Sequence, residues 1–142
     1  MFPLGLRYLH SIGNIKANKV IILADESELT RIRPALAQYL GDEASITKAV
    51  PGMLEVLPFG ASKGEGVRRL LDHYNIALDE TVAFGDGEND IEMLELVGLG
   101  IAVDNAKAAL KDVAQLITLS NNDDGVGSVL ELIVDIITAQ DS

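Results

Sequence analysis

The sequence predicts an α/β protein: a Rossmann-like parallel sheet with helices on its faces, joined to a smaller α+β segment. Three observations carry this reading. Short apolar runs such as KVIILA (Lys19 to Ala24) and TVAF (Thr81 to Phe84) alternate with stretches whose apolar residues recur at helical spacing. The connections between them are short, as strand–helix–strand units require. Further along the first half, Pro51-Gly52 separates two further apolar runs and marks a turn.

In chain order, KVIILA reads as a strand. The segment SELTRIRPALAQYL follows as a helix, with Leu29, Ile32, Leu36 and Leu40 on one face and Ser27 as its N-cap. Pro34 lies well inside that helix, where it is expected to kink it or mark its true start. ASITKAV and MLEVLPF are two short strands flanking the Pro51-Gly52 turn. Ser62 then caps a helix whose expected apolar face is Val67, Leu70, Leu71 and Tyr74. TVAF is a buried strand ending at Gly85, and a helix runs from about Asn89 to Val97. LGIAV, a helix after Asn105 with Asn105 as its N-cap, QLITL and a last helix VGSVLELIVDIITA complete the chain.

Composition narrows the function. The 142 residues are 48% hydrophobic, enough for a core, and read as one globular, soluble unit with a small appendage. Acidic residues number 22 against 11 basic ones, a net charge of −11 that opposes binding to a phosphate backbone; no nucleic-acid partner is expected. There is no cysteine, which excludes disulfides, thiolate metal sites and a thiol nucleophile. The start MFPLGLRYLH carries no leader-like cleavage pattern, and no run of about 18 apolar residues is present. A cytoplasmic protein with no membrane partner is the expectation.

The chemistry concentrates at GDGEND, Gly85 to Asp90. Asp86, Glu88 and Asp90 place three carboxylates within five residues, where they repel one another unless a cation, a helix start or solvent relieves them. The segment sits at the carboxyl end of a strand, where open parallel sheets bind ligands. Asp-Gly also marks hairpins, but Ile91, Leu94 and Val97 continue at helical spacing and not as a strand. From the residues alone, a Mg²⁺ site and an acidic helix cap both remain open.

Four segments, EVLPFGASKG, VAFGDGENDIEML, GLGIAVDNAKAALKDVA and SNNDDGVGSVLE, in this order and spacing, resemble the C-terminal half of a Cof-type phosphatase of the haloacid dehalogenase superfamily. The resemblance covers most of the chain from Lys19 onward. It implies that Lys63 binds the transferring phosphoryl group, that Asp86 ligates Mg²⁺, and that Asn89 and Asp90 support metal and phosphate. By the same resemblance, Asn105 faces the crevice as a phosphate-side residue, and the substrate is a small phosphorylated metabolite. Asn121, Asn122, Asp123 and Asp124 read as a solvated loop.

The chain departs from that pattern in one respect that decides activity. Such phosphatases use an Asp-x-Asp whose first aspartate attacks phosphorus and whose second is the general acid and base. None of the 142 residues forms one; Asp25 ends a strand, but Ser27 stands where the second aspartate belongs. Asp25 therefore reads as a loop or helix-start residue, and no phosphate-binding Ser/Thr motif is recognisable. The resemblance divides the chain into part of a cap at residues 1–58 and the C-terminal part of the core at residues 59–142. It leaves the edge of TVAF bare, so a homodimer or a complementary chain is expected to cover it. A catalytically inactive remnant that binds metal or protein is the alternative function. A receiver-like module is disfavoured, because Lys63 precedes Asp86 while Lys107 and Lys111 belong to a helix.

Overall fold

A computed structural model describes residues 17–140 apart from residue 49. The sequence expectations for the first ten residues, and for the start of the cap segment, lie outside that range. Two three-stranded sheets organise the described residues. The first is antiparallel, in the order β1 (Val20–Leu23), β3 (Met53–Pro58), β2 (Ala44–Thr47), with helix α1 (Glu26–Leu40) packed on it. Its turn at Val50–Met53 closes through a Met53 N–H donating to the Val50 carbonyl at 3.1 Å, with Gly52 at φ +76°. Proline at the second position and a left-handed glycine at the third are what that turn type demands.

Helix α1 differs from expectation at its start. Asp25, not Ser27, occupies the N-cap position, and its side chain makes no capping hydrogen bond. Glu26 and Glu28 instead place negative charge in the first turn, which suits the helix dipole. Pro34 neither begins nor ends the helix. Most of α1 is exposed, so the carbonyl that loses its partner at Pro34 can turn to water.

The second sheet is parallel, in the order β4 (Val82–Gly85), β5 (Leu99–Val103), β6 (Leu116–Thr118). Helix α2 (Lys63–Tyr74) leads into it, α3 (Ile91–Leu96) and α4 (Ala108–Lys111) form its crossovers, and α5 (Gly125–Gln140) follows it. The central strand β5 is buried along nearly its whole length, and Leu94 and Leu110, fully buried, pack with Ala83, Val97 and Ala102. Helix α2 buries a narrower face than its sequence suggests. Leu71 is buried and Val67 half-buried, whereas Leu70 and Tyr74 are more than half exposed. The helix turns its Gly64 side towards α3, where a Cβ on Gly64 would stand 2.7 Å from Glu92 Cγ. Close approach there draws the Leu71 row inward and rolls the Leu70–Tyr74 row outward.

Strand β4 hydrogen-bonds only β5 among the described strands, so its other edge is open. Helix α5 packs on β6 but leaves Leu130, Leu132, Val134, Ile136 and Ile137 about half exposed or more. No helix among the described residues is long and apolar enough to cross a membrane. Leu94→Ala should cost about 2–5 kcal/mol in urea denaturation, because it empties a fully buried position. Leu132→Ala, at 59% exposure, should fall within about 0.5 kcal/mol of the native chain; a larger loss would mean that something covers α5 in solution.

Candidate active site

The site forms where β4, β5 and β6 end. Gly85 closes β4, and a Cβ placed there would stand 2.6 Å from Asp90 Cβ. The absence of a side chain lets the chain double back, so that Asp90, only 2% exposed, tucks beneath the strand end. A single turn of 3₁₀ helix, Glu88–Asp90, makes the reversal. Asp90 Oδ2 accepts from the backbone N–H groups of Asp86 and Gly87, both at 3.0 Å, and Oδ1 accepts from Lys63 Nζ at 2.5 Å. Burial works against ionising Asp90, but the Lys63 hydrogen bond, the two backbone donors and the Lys63 charge outweigh it and hold the carboxyl below its ordinary value.

Lys63 arrives there because Ser62 caps α2, its hydroxyl accepting from the Glu65 N–H at 3.0 Å. That cap fixes the first turn and points the following residue at the strand end. Half of the Lys63 side chain is exposed, so the ammonium has donors left for a ligand. Asp90, by contrast, is committed as an acceptor: both of its oxygens already serve Lys63 and the loop. Asp86 is the reverse. Its backbone is pinned at both ends, the N–H by Asp90 and the carbonyl by the Lys107 N–H at 3.0 Å, while its carboxylate is exposed and makes no hydrogen bond or ion pair with the described residues. Asn89, half-buried, likewise has no side-chain hydrogen bond with them.

The other loops meet the sequence reading unevenly. Asn105 is not a helix cap: Lys107 holds the N-cap position of α4. The Asn105 amide instead grips the loop after β6, donating to Asn121 Oδ1 at 2.9 Å and accepting from the Ser120 hydroxyl and the Asn121 N–H at 3.2 and 3.0 Å. Asn121–Asp123 form a 3₁₀ turn stabilised by this grip. Asp25 begins α1 at the end of an antiparallel strand and does not line the cleft that opens beside Lys63. That cleft, about 830 Å³, runs between the antiparallel sheet and the start of α2. Ser45, Thr47, Glu55 and Leu57 line one wall; Lys63 and Asn89 line the other. The sheet residues of this wall carry no local signal, since any polar strand face reads the same way.

The second cation of the site was also invisible in the sequence. Arg33 of α1 lies half-buried against Glu88, Nη1 donating to Oε2 at 3.0 Å and Nη2 pairing with Oε1. Hydrogen bonding to Glu88 raises the Arg33 pKa further, with burial opposing. No group of three or more His, Cys, Asp or Glu suited to a metal occurs among the described residues. The donors present, one free carboxylate and a neighbouring amide, suit a Mg²⁺ that keeps most of its water.

A family profile described as haloacid dehalogenase-like hydrolase matches residues 6–130. An Arabidopsis thaliana protein named chloroplastic endoribonuclease YBEY is 43% identical over 120 residues, covering 84% of this chain and 20% of that protein. The HMP-PP phosphatase of Citrobacter koseri is 40% identical over 105 residues, 74% of this chain and 38% of the enzyme. The crystal structure of a HAD/COF-like hydrolase from Plasmodium vivax superposes with a TM-score of 0.83 at 31% identity, covering 90% of this chain and 46% of that one. The chain thus spans less than half the length of each.

The Asp90 geometry sets a pH dependence. Because the folded carboxyl titrates below its ordinary value of 3.8, its stabilisation is complete above the unfolded pKa and is lost as pH falls through the lower, folded one. The stability gap between the native chain and Asp90→Asn, measured by urea denaturation, should therefore be constant near neutrality and shrink only below about pH 4. A gap that closes between pH 5 and 7 would contradict the pairing.

Proposed function

The chain belongs to the haloacid dehalogenase-like hydrolases, and from that membership we propose that its strand-end site is the phosphate- and cation-holding part of a phosphate monoester hydrolase. The observation that carries this reading is the division of labour in GDGEND. Asp90 is spent on Lys63 and the loop, while Asp86 is held by its backbone with its carboxylate free. A dianionic ester entering a chain of net charge −11 needs both an amine and a divalent cation to hold it.

Lys63, oriented by Asp90, donates to a phosphoryl oxygen. Asp86 is the ligand for Mg²⁺, Asn89 lies beside it as a donor to phosphate or metal-bound water, and Asp90 acts through Lys63 and the backbone. Bound Mg²⁺ would supply the positive charge that offsets the charge developing on a transferring phosphoryl group. Asn105 serves at one remove, holding the neighbouring loop in place. The substrate class is a small phosphorylated metabolite, its leaving group lying in the cleft against Ser45, Thr47 and Glu55. The open β4 edge is where a second copy or a complementary chain would dock.

Nothing in these 142 residues supplies the Asp-x-Asp nucleophile and acid–base pair. The chain by itself should therefore hydrolyse an aryl phosphate in the presence of Mg²⁺ at least about a thousandfold more slowly than an intact relative. Turnover near the relative's, abolished by Asp86→Asn, would refute this and send attention to Asp25. An inactive metal- or protein-binding module is the second reading, favoured by that same missing pair. Calorimetric titration addresses the metal in either case. Mg²⁺ should bind with Kd about 1 mM, near −4 kcal/mol, and Asp86→Ala should abolish most of the heat. Micromolar binding, or binding indifferent to Asp86, would place the cation elsewhere.

A further inference from the structure

The antiparallel layer and the parallel core are joined in sequence at Phe59–Ser62, and they face each other across the cleft. Something must set the distance between them. Among the described residues, Arg33 to Glu88 is the one ion pair that crosses from the first layer to the second. The Lys19–Glu55 and Lys48–Glu26 pairs stay within the antiparallel layer, and Lys63–Asp90, Lys111–Asp104 and the Glu65 pairs stay within the core. The crossing pair spans 55 residues of sequence, is only about one-third exposed on each side, and uses both guanidinium ends against both carboxylate oxygens. A planar fork of that kind fixes direction as well as distance, which a lysine point charge does not. Its acceptor belongs to the same 3₁₀ turn that carries Asn89 and Asp90, so the position of α1 is coupled to the loop holding Lys63.

We propose that Arg33 is a positioning residue: by taking both oxygens of Glu88 it latches the antiparallel layer onto the strand-end turn and sets the width of the cleft beside Lys63. It also withdraws Glu88 from Asp86, leaving one uncompensated carboxylate on the loop instead of two. The inference stands on the geometry alone and needs no phosphatase activity.

The chain has no cysteine, so a pair of introduced cysteines can be spin-labelled cleanly. Tyr39→Cys on α1 and Asp72→Cys on α2 are exposed and outside the site. Pulsed electron–electron resonance between them should give one narrow distance distribution in the otherwise native chain. Adding Arg33→Ala should broaden it and populate longer distances, while circular dichroism shows the same helix content. Glu88→Gln should broaden it similarly, and the charge-reversed pair Arg33→Glu with Glu88→Arg should restore the narrow distribution. A general loss of stability would not be rescued by reversal. An unchanged width in both single variants, or a charge-reversed pair as broad as either, would overturn the proposal.

Discussion

Three carboxylates in five residues are tolerable in this protein because two of them are answered by cations that arrive from opposite directions. Lys63 comes from the helix that precedes the parallel sheet, and Arg33 comes from the helix of the other layer. Each pairing has a positional consequence beyond its charge. The first pulls the start of α2 onto the end of β4; the second pulls α1 onto the 3₁₀ turn. The remaining carboxylate, Asp86, is left with its backbone fixed and its side chain free. Repulsion within GDGEND, a local liability, is thereby turned into the selection of one ligand-ready oxygen pair.

Burial makes this selection firm. Asp90 lies under the strand end with both oxygens engaged by three donors, so its partners cannot be exchanged for solvent without leaving a buried charge unpaired. Lys63, half exposed, bears no such constraint and can share its protons between Asp90 and an incoming anion. A rigid acceptor beneath a shared donor is a workable arrangement for recognising phosphate, since the lysine is aimed before the ligand arrives.

How much of this was legible depended on whether the relevant partner lay nearby in sequence. The alternation of apolar runs and helical periodicity placed all six strands, because each strand is a short apolar segment bounded by turn residues. Ser62 was legible as a cap because its acceptor geometry is set three residues away. Asn105 looked like a cap by the same rule and is not one. Its side chain found better partners 15 and 16 residues on, at Ser120 and Asn121, and no local rule sees those. Lys63 and Asp90 were each singled out, but their direct pairing was not. Arg33 lay out of reach altogether, since one arginine on an amphipathic helix is indistinguishable from a solvated one until the layers are assembled. The face of α2 was misjudged for a related reason. Leu70 and Tyr74 fit the period, but which row of a helix is buried is decided by the close approach at Gly64.

The loops after β4, β5 and β6 are stitched side to side. The Lys107 N–H holds the Asp86 carbonyl, the Asp104 N–H holds the Leu119 carbonyl at 3.3 Å, and Asn105 grips Ser120 and Asn121. A rim fastened in this way behaves as one piece, so lengthening any one loop would tear hydrogen bonds from its neighbours. Insertions should therefore be excluded from this side of the molecule and accommodated across the cleft, in turns such as Val50–Met53 that are tied only to their own layer. Diversification of the pocket by loop growth then has one wall to work on, while the wall that meets phosphate stays the same length.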